Sequence, residues 1–122
     1  MSKVLIADDE EEAVEVLSDF LTDIGYQTKT ASDGEEAIAC LKSEKYDILI
    51  LDLRMPRIDG EGVMQVLSEH SPQTAVIITT GYSDGGETKE RIQQYNVAHY
   101  MEKPIDLDIL EKVIKDIEKK KQ

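Results

Sequence analysis

The chain has 122 residues, a formal net charge of −12 at pH 7 and 40% hydrophobic residues, which suits a single domain over residues 1–122 in which folding buries roughly two thirds of the unfolded surface. The acidic balance argues against DNA, RNA or an anionic membrane as a direct partner. One cysteine, Cys40, excludes an internal disulfide and fits a reducing compartment, and no apolar run approaches the roughly 20 residues of a membrane span, so a cytoplasmic protein is expected.

Residues 3–8 open with Val4-Leu5-Ile6-Ala7, an apolar run too short for a signal-peptide core, which leads into Asp8-Asp9-Glu10-Glu11-Glu12. It reads as a buried strand. Apolar residues then recur at Ala13, Val14, Leu17, Phe20, Leu21 and Ile24, the stripe of a helix that Gly25 stops. Residues 26–31 form a second, weakly patterned strand that suits a sheet edge. Ser32-Asp33-Gly34-Glu35 reads as a capping box opening a helix through Ala37, Ile38 and Leu41.

Ile48-Leu49-Ile50-Leu51-Asp52 is the third strand, an unbroken apolar run closed by a carboxylate. Such runs mark strands buried on both faces. An unpaired buried charge costs several kcal/mol or more, so Asp52 calls for a purpose. In open α/β sheets the carboxyl ends of strands form the crevice where ligands bind. After Met55-Pro56 comes a loop with Asp59-Gly60, then a helix using Val63, Met64, Val66 and Leu67, broken at Ser71-Pro72. Ala75-Val76-Ile77-Ile78-Thr79-Thr80 is the fourth strand and Gly81 its turn. Residues 83–95 form a helix with a thin apolar face and Gly85-Gly86 at its start. Residues 97–101 make the fifth strand, followed by Lys103-Pro104, and a last helix carries Leu107, Leu110, Val113, Ile114 and Ile117.

Five strands alternating with five helices predict an α/β fold with a parallel sheet between helix layers. A flavodoxin-like (βα)5 order and a Rossmann-like half both fit. In either, strand ends share one edge, which brings Asp8, Asp9, Asp52, Thr80 and Lys103 together. Crowded carboxylates repel unless a cation intervenes. An all-oxygen, charge-rich set suits Mg²⁺, and a lysine beside it suits phosphate. The set reads as phosphoryl transfer onto Asp52.

Asp8-Asp9, Asp52 with Met55-Pro56 and Asp59-Gly60 following, Thr80-Gly81, and Tyr100 ahead of Lys103-Pro104 together resemble a response-regulator receiver domain of two-component signalling. The resemblance spans essentially the whole chain. It implies strand order 2-1-3-4-5, with Asp52 as phosphoacceptor. Asp8 or Asp9, Asp52 and the backbone carbonyl of Arg54 would bind Mg²⁺. Thr80 and Lys103 would contact the phosphoryl group, Tyr100 would be an aromatic switch, and Lys103-Pro104 a cis peptide. The implied donor is a histidine kinase or histidine phosphotransfer protein, and the implied recipient an output domain or effector protein. The surface that changes would be the fourth and fifth helices with the fifth strand. No catalysis beyond its own phosphorylation and dephosphorylation is implied. Gly85-Gly86 and Tyr82 are less usual, and with Arg54 they bear on how long the phosphate survives.

Read singly, Asp8 and Asp9 are helix-capping acids, Thr80 a strand-end threonine, Lys103 a solvated lysine and Tyr100 a core aromatic. Cys40 reads as a small helix residue, and His70 and His99 lack metal-ligand spacing. Other functions fit less well. A flavin carrier needs a phosphate-cradling loop after the first strand, where this chain has five acids in a row. A Mg²⁺-dependent phosphohydrolase with an aspartate nucleophile would want an acid two residues after Asp52, where Arg54 stands. A docking receiver that takes no phosphate would not require the acids, threonine and lysine together.

Overall fold

A computed structural model describes residues 2–53, 60–70, 72–81, 95 and 97–120. The apolar runs form strands β1 (Lys3–Ala7), β2 (Gln27–Ala31), β3 (Ile48–Asp52), β4 (Ala75–Thr80) and β5 (Val97–Glu102). They pair in parallel in the order β2-β1-β3-β4-β5, which settles the flavodoxin-like alternative and leaves β2 at an edge. Helices α1 (Glu11–Asp23), α2 (Gly34–Ser43) and α3 (Gly60–His70) sit between successive strands, and α4 (Leu107–Lys120) follows β5. The helix expected over 83–95 apart from Tyr95, Arg54 with the loop through Asp59, and Tyr82 lie outside the described residues. No described helix is long and apolar enough to cross a membrane.

Successive strand side chains point to opposite faces, and both faces are covered. Leu5, Ala7, Leu49, Leu51, Val76 and Ile78 pack with Ala37 and Leu41 of α2 and Val63, Met64 and Leu67 of α3. Val4, Ile6, Ile48, Ile50, Ala75 and Ile77 pack with Leu17 and Leu21 of α1 and Leu110, Ile114 and Ile117 of α4. This is why β1, β3 and β4 run apolar without alternation. Each Leu or Ile so buried contributes roughly 1.5–3 kcal/mol.

The connections hold these layers in register. At the end of α1, Gly25 has φ of 103°, a conformation open to glycine without strain. Its N–H donates to the Thr22 carbonyl at 3.1 Å, and that of Tyr26 to the Leu21 carbonyl at 2.9 Å. This is a Schellman motif, and it delivers Tyr26 into the same core cluster as Leu21. The capping box of α2 is displaced by one residue from its expected place. Asp33, not Ser32, is the N-cap, accepting from the Glu36 N–H at 2.8 Å, while the Ser32 hydroxyl donates to the Glu36 carboxylate.

Candidate functional site

The parallel register carries the strand ends to one edge. Asp8 follows β1, and its N–H donates to the Ala31 carbonyl at the end of β2 at 3.0 Å. Asp52 ends β3, aligned with Thr79 of β4, and Thr80 aligns with Glu102 of β5. The Lys103 N–H donates to the Thr80 carbonyl at 2.9 Å, which pins the lysine beside β4. A Cβ built on Gly81 would lie 3.8 Å from Lys103 Cδ, so the lysine stem runs close over that turn. The Lys103-Pro104 peptide is cis, as the resemblance implies.

From there the Lys103 ammonium reaches back across the sheet edge. Its Nζ lies 2.8 Å from Asp8, 3.2 Å from Asp52 and 3.2 Å from Glu10. The Asp8 and Asp52 side chains are only 3% and 7% exposed, so the ammonium supplies the counter-charge that makes their burial tolerable. Burial alone would lower the Lys103 pKa. The hydrogen bond that the ammonium donates to Asp8, with the charge of Asp52 and the hydrogen bond donated to it, more than offsets this, holding the lysine above its ordinary 10.5.

Carboxylate oxygens of Asp8, Glu10 and Asp52 all lie within 4.8 Å of one another. Hard oxygen donors this close suit a small divalent cation such as Mg²⁺, which takes one or two carboxylates and keeps several waters. Three acids against one ammonium leave the cluster net negative, so the donor set fits that ion. Asp9 is exposed and lies outside this group. Glu10 takes the third place, and the sequence signal for it was its position two residues after Asp8, within reach of the same strand end. Thr80 is half-buried at the end of β4. Tyr100 is half-buried on β5, beside Ile78 in register and against the core face that α2 and α3 cover; burial raises its phenol above the usual 10.0.

A buried aspartate at the end of a central parallel strand, met by a second acid and a lysine from neighbouring strands, defines an acidic, lysine-bridged site at the carboxyl edge of a parallel α/β sheet. The family model for the response regulator receiver domain matches residues 4–115, and the chain belongs to that family. It is 35% identical over 117 residues to "Probable transcriptional regulator ycf27" of Porphyra purpurea, covering 94% of this chain and 46% of that protein. The chain thus spans about half the length of the ycf27 relatives it matches. The fold superposes with a TM-score of 0.91 on a CheY-like receiver domain protein from Methanospirillum hungatei, at 22% identity over 99% of this chain and 97% of that one. The response regulator TrrA from Thermotoga maritima, solved in complex with Mg(2+)-BeF, is 30% identical with a TM-score of 0.84, covering 96% of this chain and 99% of that one. The chain is therefore the receiver domain of a response regulator, a signalling domain of a family in which phosphorylation on aspartate is typical.

Proposed function

We propose that Asp52 is the residue that accepts the phosphoryl group, from a histidine kinase or histidine phosphotransfer protein. One observation carries this reading: a single ammonium, Lys103 Nζ, bridges the buried Asp52 and Asp8 carboxylates at 3.2 and 2.8 Å. An Asp52 oxygen attacks phosphorus, the bond from phosphorus to the donor breaks, and an acyl phosphate forms. Asp8 or Asp9, with Asp52 and the backbone carbonyl of Arg54, would hold Mg²⁺. That ion, when bound, supplies positive charge that offsets the acids facing an anionic donor. Lys103 is close enough to pass from the acids to the new phosphoryl oxygens, and the Thr80 hydroxyl is the second group available to them.

Thr80 and Tyr100 lie on adjacent strands and form the proposed switch. A Thr80 hydroxyl drawn toward phosphate leaves room for the Tyr100 ring, and a differential interaction of this kind is what a population shift requires. The recipient of the change would be an output domain or effector protein. The test is chemical. Incubation with a small acyl phosphate and Mg²⁺ should add one phosphoryl group that hydroxylamine removes, since acyl phosphates are cleaved by that nucleophile. A hydroxylamine-stable adduct would point to a serine, threonine or tyrosine ester instead.

A further inference from the structure

The Asp8 and Asp52 carboxylates that hold Lys103 Nζ at 2.8 and 3.2 Å also belong to the group of acids close enough to hold a divalent cation. Ammonium and cation therefore contend for the same buried pair, and a dication seated there repels the lysine at this range. Glu10 differs from the other two acids. Its side chain is 64% exposed, yet its Oε1 lies 3.2 Å from Lys103 Nζ. It occupies the N-cap position of α1 but makes no side-chain capping hydrogen bond, so its carboxylate is left to the lysine. Its backbone N–H donates to Asp8 Oδ1 at 2.9 Å, which sets its position relative to the buried pair.

Resting on the reading of Asp52 as phosphoacceptor, we propose that Glu10 is a positioning residue that retains the Lys103 ammonium at the mouth of the site when a cation takes the Asp8 and Asp52 oxygens. Lys103 then stays where incoming phosphoryl oxygens arrive, rather than swinging into solvent. Glu10 acts through Lys103 and does not touch the reacting atoms. The sign of its effect separates this role from plain electrostatics. An acid that merely repels anionic donors slows phosphorylation, and its removal would speed it; a positioning acid does the reverse.

The experiment uses the full chain with ¹⁵N-labelled lysine, in saturating Mg²⁺, as wild type, Glu10→Gln and Glu10→Ala. The Lys103 ammonium signal, assigned by its loss in Lys103→Met, should remain resolved in wild type. It should merge with the solvent-exchanged lysines in Glu10→Ala. Glu10→Gln, which keeps an acceptor oxygen of the same reach, should be intermediate. In parallel, Glu10→Ala should lower kcat/KM for acetyl phosphate roughly two- to fivefold, the range of an exposed ion pair, and less at high salt. An unchanged Lys103 signal in Glu10→Ala, or faster phosphorylation, would overturn the proposal. The ammonium signal needs only Mg²⁺, so it tests Glu10 even if wild type took no phosphate, an outcome that would contradict the assignment of Asp52 instead.

Discussion

The Tyr26 hydroxyl donates to the Glu118 carboxylate at 2.7 Å, joining residues 92 apart in sequence. The other Glu118 oxygen accepts from the Ser2 hydroxyl at 2.8 Å. One carboxylate near the end of α4 thus ties that helix to the start of the chain and to the corner between α1 and β2. Burial, together with the hydrogen bond to Glu118 and its charge, raises the Tyr26 phenol far above its ordinary 10.0.

Tyr26→Phe should therefore destabilise the fold by roughly 1.5–3 kcal/mol in urea unfolding, the range for a hydrogen bond to a charged group. Alkaline pH should do the same. Burial first, and then Cys40, push Tyr46 up to about 12 from 10.0. For both tyrosines the folded pKa exceeds the unfolded one, so their stabilisation is complete below pH 10 and lost as pH rises through the folded values. Each contributes a slope of up to about 1.4 kcal/mol per pH unit in that window. Tyr26→Phe should show a shallower alkaline decline than wild type, and parallel curves would contradict the assignment.

Capping at α2 gives a sharper local prediction. The Asp33 side chain satisfies the Glu36 N–H at 2.8 Å, so Asp33→Ala should cost about 1 kcal/mol. Ser32→Ala removes only an exposed hydrogen bond to Glu36 and should cost a few tenths at most. Equal losses in denaturant melts would restore Ser32 as the cap.

This one-residue displacement shows what was legible. Ser-x-x-Glu and Asp-x-x-Glu overlap in Ser32-Asp33-Gly34-Glu35-Glu36, and the chain pattern alone does not choose between them; backbone geometry does. The strands and their buried faces were readable because a two-sided sheet demands unbroken apolar runs such as Ile48-Leu49-Ile50-Leu51. The convergence of Asp8, Asp52 and Lys103 followed from parallel topology. Which acid joins them did not. Asp9 and Glu10 are adjacent and both exposed, and only the path from Asp8 into α1 turns Glu10 toward Lys103. Strand order came from the resemblance, since alternation of strands and helices leaves it open.

Lys103→Met should expose the cost of crowding buried acids. Without the ammonium, Asp8 and Asp52 stay buried with their counter-charge removed, a loss of about 3 kcal/mol or more in chelator. Mg²⁺ should then stabilise the variant more than wild type, because no ammonium contends for the same oxygens. At 100 times Kd, binding adds about 2.7 kcal/mol. Thermal melts with chelator and with Mg²⁺ check this, and equal Mg²⁺ shifts in the two proteins would mean that cation and lysine use different oxygens.

The proposed switch separates acceptance from response. Thr80→Ala should still take phosphate, yet lose a hydrogen bond worth roughly 1.5–3 kcal/mol to a charged acceptor. Tyr100→Ala should keep the site and lose the coupling. Hydrogen exchange over residues 83–101, with and without a phosphoryl mimic, reads both. Protection that changes on activation in wild type but not in either variant is expected; no change in wild type would place the output on another face.

The central claim is that Asp52 is the phosphoacceptor and that its acceptance requires a divalent cation. Intact mass after incubation with acetyl phosphate, for wild type and Asp52→Asn, each with Mg²⁺ and with chelator, tests it most directly. The account predicts a single added phosphoryl group on wild type in Mg²⁺ alone and none in the other three samples. Stoichiometric addition to Asp52→Asn, or to wild type in chelator, would contradict it.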